Sequence, residues 1–165
     1  MDNMIEPALK SLLEKDFVRE ALAHNDISPL YSRSTIDPAI ITRFLINDLG
    51  IKNPLQYLKS IDGVPGGYMN DMLEIESVEI PDGIKHIYPY AFYRCYNLNN
   101  VFLPFSITDI SKAAFMSCSN RDTGLQIHYD GTTGQFRKIK KENGWNTGTL
   151  INVICNNGNI TYRGY

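Results

Sequence analysis

The sequence predicts a mixed fold, a short α/β solenoid of parallel strands closed at its N-terminal end by an α-helical cap. Three observations predict it. Apolar residues at helical spacing, punctuated by proline and glycine, fill the first part of the chain. A period of 23 residues runs through the second part. A dense turn segment, Asp62-Gly63-Val64-Pro65-Gly66-Gly67, lies between them. The expected division is residues 1–70 for the helical part and 71–165 for the solenoid with a C-terminal closing unit. The composition, 43% hydrophobic and 21% charged over 165 residues, is that of a folded domain able to bury a core without metals or disulfides.

The elements follow in chain order. Residues 4–24 place Ile5, Leu9, Leu12, Leu13, Phe17 and Ala21 near the helical period, with Asn25-Asp26 as a stop. The next helix is better signed. Asp37 is a natural N-cap, Pro38 suits the first helical position, and Ile41, Phe44, Leu45 and Leu49 form the apolar stripe before Gly50. The same grammar in Asn53-Pro54, then Leu55, Tyr57, Leu58 and Ile61, predicts another helix ending at Gly63. A helix-turn-helix DNA reader is disfavoured, because these helices carry a net negative charge and no basic stripe.

The repeat is the most specific feature. At a shift of 23, Val78 meets Val101, Pro81 meets Pro104, and Ile84 and Ile87 meet Ile107 and Ile110. Ala91-Phe92 meets Ala114-Phe115, Cys95 meets Cys118, and Asn97 meets Asn120. A third, shifted copy starts at Ile127 after a short insertion around Arg121 to Gly124, and then the pattern dissolves. One coil cannot bury its own apolar side chains, so equivalent positions stack into a continuous interior. Val78 and Ile80 point inward from a strand with Glu79 outward, Pro81 to Gly83 turn the corner, Ile84 and Ile87 line a second side, and Ala91, Phe92 and Cys95 a third.

The run Ile80-Pro81-Asp82-Gly83-Ile84-Lys85, then Ile87, Ala91-Phe92-Tyr93, Cys95 and Leu98, resembles the BspA-like leucine-rich repeat family over residues 75–129. Tyr129 to Thr132, Phe136, Ile139, Trp145-Asn146 and Cys155 to Ile160 are similar to the family's C-terminal closing unit, although a tryptophan is commoner where Phe136 stands. A helical front half before so few repeats resembles short proteins of this kind encoded by tailed bacteriophages. The family's best-known members are secreted adhesins with signal peptides and long arrays. The N-terminus here, Met1 to Glu6, has no basic flank and no apolar run, so the adhesive role is not carried over. The repeat carries no catalytic residues.

Outward strand positions form a ladder, Glu79, Phe102 and His128, with Ile154 on a closing strand and Ser77, Asn100 and Gln126 beside them. This face is the expected partner-binding surface, and Phe102 its anchor. Thr132 and Gln135 predict a capping box for a short helix in which Phe136 and Ile139 seal the solenoid, leaving Arg137, Lys138, Lys140 and Lys141 as a basic patch. Cys95 and Cys118 stack near disulfide distance but read as two buried thiols. His24, His86 and His128 lack metal-ligand spacing, and no nucleophile motif appears, so no cofactor, metal or catalysis is expected.

The functional expectation is a non-enzymatic protein-interaction module, a phage-encoded protein of the bacterial cytoplasm that binds a host protein in a counter-defence role. The rivals are an extracellular or virion-associated adhesion module and a nucleic-acid-binding accessory protein. A net charge of -2 supplies no long-range pull toward nucleic acid or anionic lipid. No sequence feature specifies an oligomeric state.

Overall fold

The first described elements are short helices because proline and asparagine or aspartate punctuate this part of the chain every ten residues or so. In the computed structural model, which describes residues 16–32, 36–119 and 122–165, these are α1 (Asp16–Ala23), α2 (Ser28–Ser32) and α3 (Pro38–Asn47). The first helix expected from the sequence lies outside the described residues up to residue 15. Its end falls as expected, with Asn25 in the left-handed region at φ 52°. Helix α3 has the predicted grammar. Asp37 Oδ1 accepts from the Ala39 amide at 2.8 Å, and Gly50 turns the chain away at φ +68°. Its inner face buries Ile41, Phe44 and Leu45.

The helix expected over 54–63 is not formed. Pro54–Tyr57 makes a single 3₁₀ turn, the Asn53 side chain does not cap it, and Leu58 is already extended. A tertiary tie accounts for this. Asp26 accepts from the amides of Ser28 (3.0 Å) and Lys59 (3.1 Å) and from the Ser60 hydroxyl, and Ile27 donates to the Tyr57 carbonyl at 2.9 Å. Burial opposes the charge on Asp26, yet these hydrogen bonds hold its carboxyl well below the usual range. The chain is thus drawn straight through 57–62 into the first strand.

Two sheets follow. One has the order β1 (Gly63–Val64), β3 (His86–Ile87), β5 (Asp109–Ile110) and β7 (Lys140–Lys141). The other has β2 (Ser77–Glu79), β4 (Asn100–Leu103), β6 (Leu125–Tyr129), β8 (Leu150–Cys155) and β9 (Gly158–Arg163). All pairs are parallel except the closing β8–β9 hairpin. Three turns of the chain therefore carry it from β1 to β7, a parallel-strand β-solenoid. The segment read as a joint, 62–67, supplies the first rung, so the solenoid begins ahead of the 70/71 division expected from the sequence.

The 23-residue register is met in space. Val78 pairs with Val101, Val101 with Ile127 and Ile127 with Val153, while Val64, Ile87 and Ile110 align on the other sheet, all buried. Phe92 and Phe115 stack with centroids 5.2 Å apart. The pattern does not dissolve after the third copy. The step from Asp109 to Lys140 is 31 residues, against 23 from His86 to Asp109, because helix α4 (Thr133–Lys138) occupies the corner before β7. A fourth rung was thus hidden by an insertion.

The helical component of the α/β expectation does not extend to the third side of the coils, which is built of turns. Each coil passes twice through the left-handed region, first at Gly67, Tyr90, Ala113 and Gly144, then at Asp71, Arg94, Ser117 and Gly148, with φ between 55° and 78°. Two such positions four residues apart leave no room for an α-helix. Amides there donate to the next coil, Met69 to Ala91, Phe92 to Ala114 and Phe115 to Trp145. By this register Tyr68 and Trp145 stand in the end coils where Ala91 and Ala114 stand in the middle. Small residues allow coil to approach coil, and the rings lie at the ends: Tyr68 packs against Phe92 (6.4 Å) and Tyr31 (5.7 Å), Trp145 against Phe115 (6.2 Å) and Tyr162 (5.4 Å). One apolar cluster runs from Ala21 in α1 to Cys155 in β8.

Candidate protein-interaction face

Because side chains alternate along a strand, burying Val78, Val101, Ile127 and Val153 turns the residues after them outward. Glu79 lies beside Phe102, Phe102 beside His128 and His128 beside Ile154. Ser77, Asn100, Gln126 and Asn152 form a parallel row two residues earlier. The structure thus brings together every residue of the expected ladder. Phe102 stays 45% exposed, and its ring stacks on that of His128 with centroids 4.6 Å apart. His128 Nε2 is 2.9 Å from Asn100 Oδ1, which fixes the imidazole over the phenyl ring and ties the two rows together. Among the described residues, neither the helices nor the closing hairpin covers Phe102. Asn53, just ahead of the 3₁₀ turn, donates from Nδ2 to the Glu79 carbonyl at 3.0 Å at the start of the row.

The ladder is one wall of a groove of about 430 Å³ whose lining includes Glu79, Asp82, Phe102, His128, Asp130 and Ile154. Pro81 and Pro104 stiffen its rim. Asp82 and Asp130 were not singled out from the sequence. They sit at the corners after the strands, and only the register shows that they edge the same depression.

The four basic residues separate. Arg137, Lys138 and Lys140 are exposed. Lys141 turns inward, at the rung position held by Ile110 in the preceding coil. Its Nζ donates to the carbonyls of Phe136 (2.8 Å) and Ile139 (2.7 Å) and lies 4.6 Å from the Phe136 ring centroid. Burial lowers its amine to about 8. Lys141 closes the end of α4 and is not presented with the other three. The capping box is formed as the sequence predicts, Thr132 Oγ1 accepting from the Gln135 amide and Gln135 Oε1 from the Thr132 amide.

Cys95, Cys118 and Cys155 are free and buried. The thiols of Cys95 and Cys118 point to backbone carbonyls of the preceding coil, Met69 (2.8 Å) and Phe92 (2.7 Å), and burial pushes Cys95 up to about 12. Neither is poised for chemistry.

Two further clusters escaped the sequence reading. On the outward face of the other sheet, His86 lies between two carboxylates, 2.6 Å from Asp109 through Nδ1 and 3.7 Å from Asp62 through Nε2. With a carboxylate facing each ring nitrogen, His86 ties its own coil to the coils before and after it. On the third side, Tyr88, Tyr90 and Tyr96 are each exposed by over 40%, and the Arg94 guanidinium lies 5.8 Å from the rings of Tyr93 and Tyr96. The signal was present as a run of tyrosines from 88 to 96, hidden because the repeat explained only their apolar neighbours. Among the described residues no group of three or more His, Cys, Asp or Glu is arranged to hold a metal, and no helix is long and apolar enough to cross a membrane.

A parallel-strand solenoid with a ladder of outward residues defines the class as a repeat protein of the kind that binds through its surface. The family follows from comparison. The model described as a BspA type leucine rich repeat region, in six copies, matches residues 56–142, more than half of the chain, and the protein belongs to that family. No curated protein matches. Among solved structures, the chain is similar to a leucine-rich cell surface protein from Faecalibacterium prausnitzii A2-165, with 32% identity and a TM-score of 0.45. That likeness covers 51% of this chain and 21% of the other, so the chain spans only a small part of that protein. Repeats of this family generally mediate protein–protein interaction or adhesion.

Proposed function

We propose that the protein is a non-enzymatic interaction module in which the short helices ahead of the first rung at 63–64 cap the solenoid and the ladder Glu79, Phe102 and His128 docks a protein partner. Asn100 and Gln126 flank the contact. The observation that carries this reading is the exposed Phe102 ring, stacked on His128 at 4.6 Å and open to the groove. An aromatic ring held rigid by its neighbour loses little entropy on binding and offers a large apolar face.

In the reading we favour, the protein is phage-encoded, works in the cytoplasm of the bacterial host, and binds a host protein to blunt defence. The support is the organisation of the chain, a helical front before a short array, which resembles short proteins of tailed bacteriophages. Affinity purification from bacterial lysate with wild type, Phe102→Ala and Glu79→Lys side by side tests the docking face. Loss of a specific partner in both variants is expected, and a partner retained equally by all three removes the ladder from the function. Cell fractionation tests the location. Recovery in purified virions or at the cell surface would replace the host-binding reading with adhesion.

A further inference from the structure

The groove beside the ladder has a chemistry that narrows its occupant, an inference that rests on the ladder being the docking face. The apolar part of its lining is the stacked pair of Phe102 and His128 rings together with Pro81, Pro104 and Ile154. Its charge has one sign. Glu79, Asp82 and Asp130 line it and no lysine or arginine does. Some carboxylates elsewhere have cationic neighbours, as Asp62 has Lys85, Asp71 has Arg94 and Glu74 has Arg43. Among the described residues, Glu79, Asp82 and Asp130 have none. Glu79 is in register with Phe102 on the next strand, so the two side chains leave the same face from backbones one strand spacing, ~5 Å, apart. A guanidinium stacked on the ring reaches such a carboxylate at the same time, gaining the cation–π and the charge-assisted contacts together. From Glu79 to Ile154 the groove crosses three strand steps, about 14 Å, the length of four or five extended residues.

We propose that the groove docks an extended segment of a partner protein in which an arginine or lysine adjoins an aromatic or aliphatic side chain. The cation lies over Phe102 and against the carboxylates, and the apolar neighbour fills the space along Pro81, Pro104 and Ile154. Acidic segments are repelled by the same three carboxylates.

A yeast-displayed library of random dodecapeptides, screened with the full chain, tests this. Three forms are compared: wild type, Phe102→Ala, and the charge-neutral variant Glu79→Gln/Asp82→Asn/Asp130→Asn, whose changes lie at exposed positions and whose folding is checked by thermal melting. Peptides enriched on wild type are expected to be net basic with an adjoining apolar residue. They should bind the charge-neutral variant and Phe102→Ala at least about tenfold more weakly, and weaken further in about 0.5 M salt. Enrichment of neutral or acidic peptides, no enrichment at all, or basic peptides that bind the charge-neutral variant as well as wild type would each overturn the proposal. Neutral peptides lost on Phe102→Ala would leave the ladder standing as a docking face without the charge selection. Basic peptides indifferent to Phe102→Ala would remove the ladder itself. Sedimentation of the chain alone separates one other occupant: self-association abolished by Arg137→Glu/Lys138→Glu would assign the groove to the basic helix of a second copy and overturn the partner segment.

Discussion

Single residues in this fold are explained by the coil position they hold. Cys95 and Cys118 each donate to a carbonyl one coil back, and at the matching position of the last coil Thr149 does the same, its Oγ1 donating to the Phe115 carbonyl at 2.6 Å. The position therefore asks for a small side chain with a donor, which a thiol or a hydroxyl satisfies. Cys118→Thr should stay within about 1 kcal/mol of wild type, whereas Cys118→Ala, which leaves the Phe92 carbonyl only the long hydrogen bond from the Cys95 amide, should cost about 1–2 kcal/mol by chemical denaturation. In the native state both thiols should resist a disulfide-exchange reagent at neutral pH until denaturant is added, because burial keeps them protonated. Lys141 makes a pH prediction. Its folded-state value of about 8 lies below the ordinary 10.5, so between these limits the unfolded chain binds the extra proton. The contribution of Lys141 to stability then rises with pH across that window. Stability measured against pH should rise less, or fall more steeply, from 8 to 10.5 in Lys141→Met than in wild type. Parallel curves would show that the amine is not desolvated by the fold.

At the level of elements, the turn side of each coil rests on two left-handed residues, and the chain meets that demand unevenly. Gly67 and Gly144 hold the first of these positions in the end coils, while Tyr90 and Ala113 hold it in the middle. A non-glycine residue costs roughly 1–2 kcal/mol in this conformation, partly offset by the greater entropy glycine loses on folding. Ala113→Gly should thus raise stability by about 0.5–1 kcal/mol, read as a higher denaturant midpoint with unchanged slope. A lower midpoint would mean that the buried Ala113 methyl contributes more than the backbone strain costs. The helix expected over 54–63 belongs to this scale as well. Local signals favoured it, with proline at its start and an apolar stripe, but the hydrogen bonds from Lys59 and Ser60 to Asp26 and the pairing of Gly63 with His86 hold the segment extended. A Cβ at Gly63 would lie 2.4 Å from the Tyr88 ring, so that glycine serves the close approach of two coils and does not end a helix.

For the whole molecule, the stacking of rungs makes each coil depend on its neighbours. Tyr31 against Tyr68, and Leu30, Leu45 and Leu55 in one cluster with Val64 and Met72, show where the first coil finds its cover. Deleting residues 1–60 would expose that apolar end. The expected product is insoluble, and intact chain should melt in a single transition. A soluble fragment 61–165 with a sharp melt would show that the solenoid stands without its helical partner.

The sequence by itself determined the parallel solenoid, its inward residues, the outward ladder, the α3 cap at Asp37 and the capping box at Thr132. Each is written in short-range spacing or in a repeat, and stacking identical positions leaves the chain little choice about which side chain faces which. Tertiary structure alone decided four things. The rungs at 63–64 and 140–141 lack the repeat signature, since one follows a segment rich in turn formers and the other an inserted helix. The turn side is non-helical because paired left-handed residues, several of them not glycine, are required where coils meet. Lys141 points inward because its rung position faces the interior, which its charge disguised. Asp82 and Asp130 edge one groove with Phe102 because corners distant in sequence are set side by side by strand register, and no local pattern carries that information.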